Sequence, residues 1–89
     1  MATVTSRVRD LGQLARAREL AASGEAKRLR VAARLSQSEI AAVCGVAPSA
    51  VSLWENGKRI PRGRAGRTYA AVIVGLAEAE EARDAHGPP

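Results

Sequence analysis

The chain has 89 residues, with 14 Lys and Arg against nine Asp and Glu and a formal net charge of +5. A chain of this length buries only about two-thirds of its unfolded surface, so we expect a single domain. Hydrophobic residues make up 46% of the sequence and many of them are alanine, which favours short, closely packed helices. The two aromatic residues, Trp54 and Tyr69, are too few for the base-stacking sheets that bind RNA or single strands.

The charge and the reactive residues limit the function classes further. The positive charge favours a polyanionic partner. A single Cys44 excludes an intrachain disulfide, and Cys44 with His86 does not make a zinc site, so we expect no metal and no cofactor. The same two residues do not supply the paired groups of an enzyme. No stretch approaches the roughly 20 apolar residues of a membrane span, and charges interrupt the start of the chain, so we expect a soluble cytoplasmic protein without a membrane partner.

Two helices are predicted in the first third of the chain. The first covers residues 7–22 and ends at Ser23-Gly24, and the second covers residues 25–34. The predicted inner side of the first consists of Val8, Leu11 and Ala15, with Leu14 and Ala21 beside them. The predicted inner side of the second consists of Leu29, Ala32 and Ala33. The charges between Arg7 and Arg18 fit a solvated helix face and a DNA or partner contact equally well.

The clearest boundaries lie in the middle of the chain. Ser36 and Glu39 have the spacing of a capping box, which predicts a helix that starts at Gln37. Gly45 follows where a left-handed residue commonly ends a helix. Pro48 then suits the first turn of a second helix. This second helix runs to Glu55, and Asn56-Gly57 ends it.

A basic loop and a long helix complete the predicted organisation. The loop covers residues 58–66 and the helix covers residues 67–84. Its predicted apolar stripe consists of Tyr69, Val72, Ile73, Leu76 and Ala79. Acidic residues concentrate toward its C-terminal end, where the helix dipole disfavours them, which suggests fraying or a neutralising partner. We therefore divide the chain into an N-terminal extension (1–23), a central domain (24–84) and a disordered tail (85–89).

Two short helices joined by a tight turn with glycine, flanked by further helices, are the pattern of a helix-turn-helix. Ala41 is small enough to let the second helix approach, and Val46 and Val51 close the angle from inside. Ile40, Cys44 and Trp54 complete a small core. We predict an all-α compact bundle of about five helices around this motif.

Residues 35–57 resemble the Xre/Cro family of phage-repressor-like regulators, whose fold is lambda-repressor-like. The resemblance extends over about residues 24–77. It is carried by Ser36-Gln37, Glu39-Ile40-Ala41, Gly45-Val46, Trp54-Glu55-Asn56-Gly57 and Pro61. Two positions depart from the family pattern, because Ala47 replaces a capping Ser and Leu53 stands where relatives often carry Arg or Lys.

The resemblance implies roles for individual residues. The second helix of the motif would enter the major groove, with base edges contacted by Pro48, Ser49, Ala50, Ser52 and Leu53. Phosphates would be contacted by Gln37, Asn56, Lys58, Arg59, Arg62 and Arg64. Arg30 and Glu55 would form a structural ion pair.

These features favour a sequence-specific transcriptional regulator of double-stranded DNA, a small repressor of phage, plasmid or antitoxin type that acts by operator occupancy. A homodimer is expected, paired through the N-terminal or the C-terminal helix, either of which could instead hold a protein partner. Because the reading helix has few hydrogen-bonding groups, DNA shape, the basic loop or an arm over residues 1–9 could add specificity. The alternative is a protein-interaction module on a helix-turn-helix scaffold, with weak or non-specific DNA binding.

Overall fold

The computed structural model describes residues 4–85, most of which lie in five helices. The helices are α1 (Val4–Ala22), α2 (Glu25–Ala32), α3 (Gln37–Cys44), α4 (Pro48–Glu55) and α5 (Gly63–Ala85). Between residues 4 and 85 there is no strand, so the predicted all-α bundle is confirmed. In the same part of the chain, no helix combines the length and the apolar character that a membrane span needs.

The first helix begins earlier than the sequence predicted. Val4 to Arg9 are helical, so most of the arm considered for residues 1–9 belongs to α1, and residues 1–3 lie outside the described part of the chain. Gly24 separates α1 from α2 with a φ of +86°, a left-handed conformation that glycine adopts without a steric penalty. The two helices are therefore distinct elements rather than one kinked helix.

The buried side of α1 differs from the predicted one. Leu14, Ala17 and Ala21 are buried, whereas Val8 and Leu11 are 63% and 67% exposed. Leu14 and Ala17 pack with Ala70 and Val74 of α5. Helical spacing shows which residues share a face, but it does not show which face meets another helix. Here α5 contacts the face of α1 that carries Leu14 and Ala17.

The second helix is also turned relative to the prediction. Its buried residues are Ala26, Leu29 and Arg30. Ala32 and Ala33 are exposed, so their assignment to the inner side was wrong. The helix ends at Ala32 instead of residue 34, and Arg34 has a φ of +60°. Arg30 occupies an inner position of the helix because its charge is paired there with Glu55.

The predicted boundaries of α3 and α4 are confirmed. Ser36 Oγ accepts a hydrogen bond from the Glu39 backbone N–H, and the Glu39 carboxylate accepts one from the Ser36 N–H, which completes the capping box. Gly45 ends α3 with a φ of +71°, and Pro48 occupies the first turn of α4. Local sequence thus determines both short helices.

The main core lies between the helix-turn-helix and α5. Trp54 and Tyr69 form its centre, with ring centroids 4.7 Å apart and planes tilted by 49°. Ile40, Val51 and Ile73 are almost fully buried around them. Trp54 is therefore a core residue, as the sequence predicted, and the buried Cys44 belongs to the same cluster.

The last helix starts at Gly63, four residues before the predicted start, so Arg64 and Gly66 are helical rather than part of a loop. Gly66 lies in this added turn, where a Cβ would stand 2.7 Å from the carbonyl carbon of Pro61. Gly66 therefore permits a close approach between α5 and the preceding chain. The basic loop that joins α4 to α5 therefore covers residues 56–62 instead of the predicted 58–66.

The buried stripe of α5 is shifted toward α1. Tyr69 and Ile73 are buried as predicted, but Ala79 is exposed. Val72 and Leu76 are half-buried against the core. Its other buried residues are Gly66, Ala70, Val74 and Ala77. At the C-terminal end, Ala85 is the last helical residue and not part of a tail, and residues 86–89 with His86 lie outside the described residues.

The acidic end of α5 has neutralising partners within the chain. Glu80 accepts two hydrogen bonds from Arg28 of α2, at 3.0 and 2.6 Å. Glu81 accepts one from Arg16 of α1 at 2.8 Å. These ion pairs offset the unfavourable position of the carboxylates in the helix dipole and tie α5 to the first two helices.

Candidate nucleic-acid interface

The turn between α3 and α4 holds the two helices at a fixed angle. The N–H of Val46 donates to the Ala41 carbonyl at 3.0 Å, and the left-handed Gly45 directs the chain back toward the core. Ala41 is 1% exposed and Val51 is fully buried, so the two helices meet through small side chains. The close contact leaves the N-terminal end of α4 on the surface.

The predicted reading residues differ in accessibility. Pro48 and Ser49 are exposed, whereas Ala50, Ser52 and Leu53 are half-buried. Ser52 Oγ accepts a 3.4 Å hydrogen bond from the Asn56 side chain. Ala47 precedes the helix in an extended conformation without a side-chain cap. The first turn of α4 therefore presents small side chains and uncapped backbone to solvent.

An ion pair anchors the other end of α4. Arg30 of α2 donates two hydrogen bonds to the Glu55 carboxylate, at 2.5 Å from Nε and 3.1 Å from Nη2. Both residues are buried. Arg30 Nη1 also donates to the Leu35 carbonyl at 2.8 Å. The pair that the family resemblance implied is thus present, and it joins α2, the chain before α3, and α4.

Gln37, the predicted phosphate contact, is bonded to the same carboxylate. Its Nε2 donates to Glu55 Oε1 at 2.9 Å, and the side chain is half-buried. Sequence reasoning missed this contact because 18 residues separate the partners. The structure therefore gives Gln37 a role in holding α3 to the end of α4.

The environment of Glu55 keeps it ionised. Burial raises the pKa of its carboxyl, but hydrogen bonds from Arg30 and Gln37 lower it, and the pKa lies below the ordinary value of a glutamate. The charge of Arg30 is therefore matched by a full negative charge at neutral pH.

The basic loop is fixed at both ends. The backbone N–H groups of Lys58 and Arg59 donate to the Leu53 carbonyl at 2.9 and 3.3 Å. Arg18 of α1 donates to the Pro61 carbonyl at 2.8 Å. This Arg18 contact was missed, since no local pattern in α1 distinguishes Arg18 from its other arginines. The loop thus holds its exposed cations in a defined position.

The cations of this region fall on two sides. Arg59 and Arg62 border a surface hollow together with Ala50 of α4. Arg64 borders other hollows, one beside Gly45 and one beside Gln13 of α1. Lys58, Arg59, Arg62 and Arg64 are all exposed, and Arg59 and Arg62 share a hollow with Ala50 and Trp54 of the predicted reading helix.

The arrangement as a whole fits a polyanion better than a small ligand. An exposed helix start with small side chains stands beside a fixed loop of cations, and no acidic residue occurs in the sequence between Glu55 and Glu78. Since Glu55 is itself paired with Arg30, its charge does not oppose an approaching phosphate. Small side chains also allow the α4 backbone to approach the floor of a groove.

A family model described as helix-turn-helix matches residues 27–72, just over half of the chain. The match begins within α2 and ends within α5, so α1 lies outside it. Comparison with curated proteins and with solved structures gives no significant match.

Proposed function

The chain belongs to the family of Xre and lambda-repressor-like helix-turn-helix domains and is a DNA-binding regulator, and from this premise we propose that it is a sequence-specific repressor that acts by operator occupancy. One observation carries the proposal: the Arg30–Glu55 pair fixes α4 so that its exposed first turn stands beside Arg59 and Arg62. A helix that reads bases in the major groove needs a fixed orientation, and it needs cations beside it that contact the phosphates.

Base readout is assigned to Pro48, Ser49, Ala50, Ser52 and Leu53 in the major groove. Ser49 has the most accessible hydroxyl of this set and can donate to or accept from a base edge. Pro48, Ala50 and Leu53 offer apolar contacts to thymine methyl groups. A surface this poor in hydrogen-bonding groups leaves part of the specificity to DNA shape.

Phosphate contacts are assigned to Gln37, Asn56, Lys58, Arg59, Arg62 and Arg64. The Gln37 amide uses one hydrogen for Glu55 and retains a second for a phosphate oxygen. Arg59 and Arg62 stand next to α4 and are the best placed cations of the set. Arg64, in the first turn of α5, contacts a phosphate further along the DNA backbone.

The remaining parts of the proposal concern organisation. Residues 24–84 form the DNA-binding unit, and residues 1–23 are an extension outside the family's domain. Two copies bind inverted half-sites about one helical turn apart in the cytoplasm. Occupancy of the duplex excludes other proteins from the same site, so no catalytic step is required. The family is typically non-enzymatic.

Selection of bound sites from random duplex DNA, at two salt concentrations, tests the proposal. An inverted repeat whose enrichment survives the higher salt supports it. Ser49→Ala should relax the preference at one position of each half-site without changing the rest, since a good base contact contributes about 1–3 kcal/mol of discrimination. Recovery of sequences without a common motif would contradict sequence-specific repression.

A second candidate is a protein-interaction module on the same scaffold. The half-exposed Leu53 favours it, because an apolar side chain replaces a hydrogen-bonding one in the reading helix. This candidate predicts weak DNA binding with the same affinity for every sequence. The selection experiment separates the two, since only the repressor enriches a motif.

A further inference from the structure

The outer side of α1 carries an apolar stripe that no other residue between 4 and 85 covers. Val4, Val8 and Leu11 are 77%, 63% and 67% exposed. They follow one another at spacings of four and three residues, and the exposed Ala15 continues the series. Such spacing places the four side chains on one face of the helix.

This stripe is separate from the face that holds α1 in place. Leu14, Ala17 and Ala21 are buried against the bundle and anchor the helix. Single exposed apolar residues are ordinary, but a row of large ones on one helix face marks a contact surface. The helix therefore has one apolar face for its own domain and one for something else.

Charges beside Leu11, on the side of the stripe that faces Leu14, indicate the occupant. Leu11 and Leu14 line a surface hollow whose other residues are Arg7, Asp10 and Arg67. A two-fold contact brings the same patch of both copies together, so a patch with both signs of charge at its edge can form ion pairs with its own copy. Asp10 of one copy can then meet Arg7 or Arg67 of the other. DNA and anionic membranes select cations alone, so a mixed edge favours a second copy of this chain.

We propose that the stripe of Val4, Val8, Leu11 and Ala15 is the surface through which two copies of this chain pair, α1 against α1. The inference rests on the proposed function, in which two copies occupy one operator, and assigns the surface that joins them. It also gives a role to α1, which lies outside the segment that the family model matches.

The size of the stripe indicates a weak contact. Its three large side chains expose on the order of 300 Å² per copy, against about 800 Å² per partner in a standard stable interface. Free copies should therefore associate weakly. Two half-sites on one duplex raise the effective concentration of one copy near the other, which allows a weak contact to produce cooperative binding.

Sedimentation equilibrium of the whole chain without DNA tests the contact itself. We expect weak self-association that Val8→Asp and Leu11→Asp each reduce at least tenfold. Val31→Asp is the matched control, because Val31 is a 55% exposed valine on α2, and it should leave association unchanged. Thermal midpoints check that all three variants fold.

Disulfide trapping gives a second measurement at lower concentration. In a Cys44→Ala background, Val8→Cys and Leu11→Cys should form a covalent dimer under mild oxidation faster than Val31→Cys. Equal rates at all three positions, or self-association that survives both aspartate substitutions, would overturn the proposed surface.

DNA binding is scored separately, so that the two proposals can fail independently. On a duplex with one selected half-site, Val8→Asp should bind like the original chain, and on the full inverted repeat it should lose cooperativity. If no duplex is bound with preference while Val8→Asp still abolishes association, repression fails and the pairing surface stands. If the original chain fills both half-sites without cooperativity and forms no dimer, the pairing surface fails and repression stands.

Discussion

Glu55 connects three helices through one carboxylate. It accepts hydrogen bonds from Arg30 of α2 and from Gln37 of α3 while it ends α4. A buried ion pair adds little net stability, because desolvation of both charges offsets their attraction. The pair here fixes the position of α4, and removal of one partner would leave the other as a buried charge without compensation. The orientation of α4 therefore depends on this residue.

Glu55→Ala should lower the free energy of unfolding by about 3–5 kcal/mol, the typical penalty for a buried charge that loses its partner. Arg30 is 8% exposed and would remain without an opposite charge. Chemical denaturation and the thermal midpoint measure the effect.

Glu81→Ala is the matched control for Glu55→Ala. It breaks the ion pair between Arg16 and Glu81, whose side chains are 41% and 65% exposed, respectively. An exposed ion pair contributes less than about 1 kcal/mol to stability. A thermal midpoint of Glu55→Ala within a degree or two of the original chain would contradict the assigned role.

At the scale of elements, the start of α5 depends on one glycine. Gly66→Ala should destabilise the protein by about 1–3 kcal/mol, because the new Cβ would meet the Pro61 backbone at 2.7 Å and displace the basic loop. Gly75→Ala, in the same helix with open space around it, should stabilise the protein by up to about 1 kcal/mol. Denaturation of both variants measures the contrast, and equal effects would refute the packing argument.

The basic loop acts as an element through its charge. If Arg59 and Arg62 each neutralise one phosphate, Arg59→Ala with Arg62→Ala should reduce the slope of log K against log salt by about two units per copy. Arg83→Ala removes an exposed cation near the other end of α5 and should leave the slope unchanged. Titrations of a labelled duplex at several salt concentrations measure the slopes. A slope that the double substitution does not alter would exclude the loop as a phosphate contact.

At the scale of the whole molecule, three glutamates link the fold to pH. Hydrogen bonds from the Ser36 backbone lower the pKa of Glu39, and hydrogen bonds from Arg28 lower the pKa of Glu80. The pKa of Glu55 is also lowered. In the unfolded chain these groups titrate near about 4.3, so the unfolded state binds more protons as the solution becomes acidic. Their contribution to stability is complete above this value and is lost as pH falls through the folded pKa values.

The free energy of unfolding should therefore fall between pH 6 and pH 3, as urea titrations can measure. Glu55→Gln should show a smaller fall over the same range, because one of the three groups no longer titrates. A stability that stays constant down to pH 3 would show that these hydrogen bonds do not favour the ionised carboxylates.

Features that depend on neighbouring residues could be predicted from the amino-acid sequence. The capping box of Ser36 and Glu39, the left-handed Gly45 and the position of Pro48 each act within one helical turn, and together they predict α3 and α4 to the residue. These signals also carry the family resemblance, and with it the proposed interface. Local hydrogen bonds and backbone sterics are readable from residue types alone.

Features that depend on distant partners became visible only in the folded chain. The buried face of α1 followed from its contact with α5, and the need for glycine at position 66 followed from the approach of Pro61. The bonds of Arg18 to Pro61 and of Arg28 to Glu80 join residues 43 and 52 positions apart. Helical periodicity identifies apolar stripes but not their neighbours, because burial is a property of the assembled bundle. That is why Val8 and Leu11, predicted as core, lie on the surface instead.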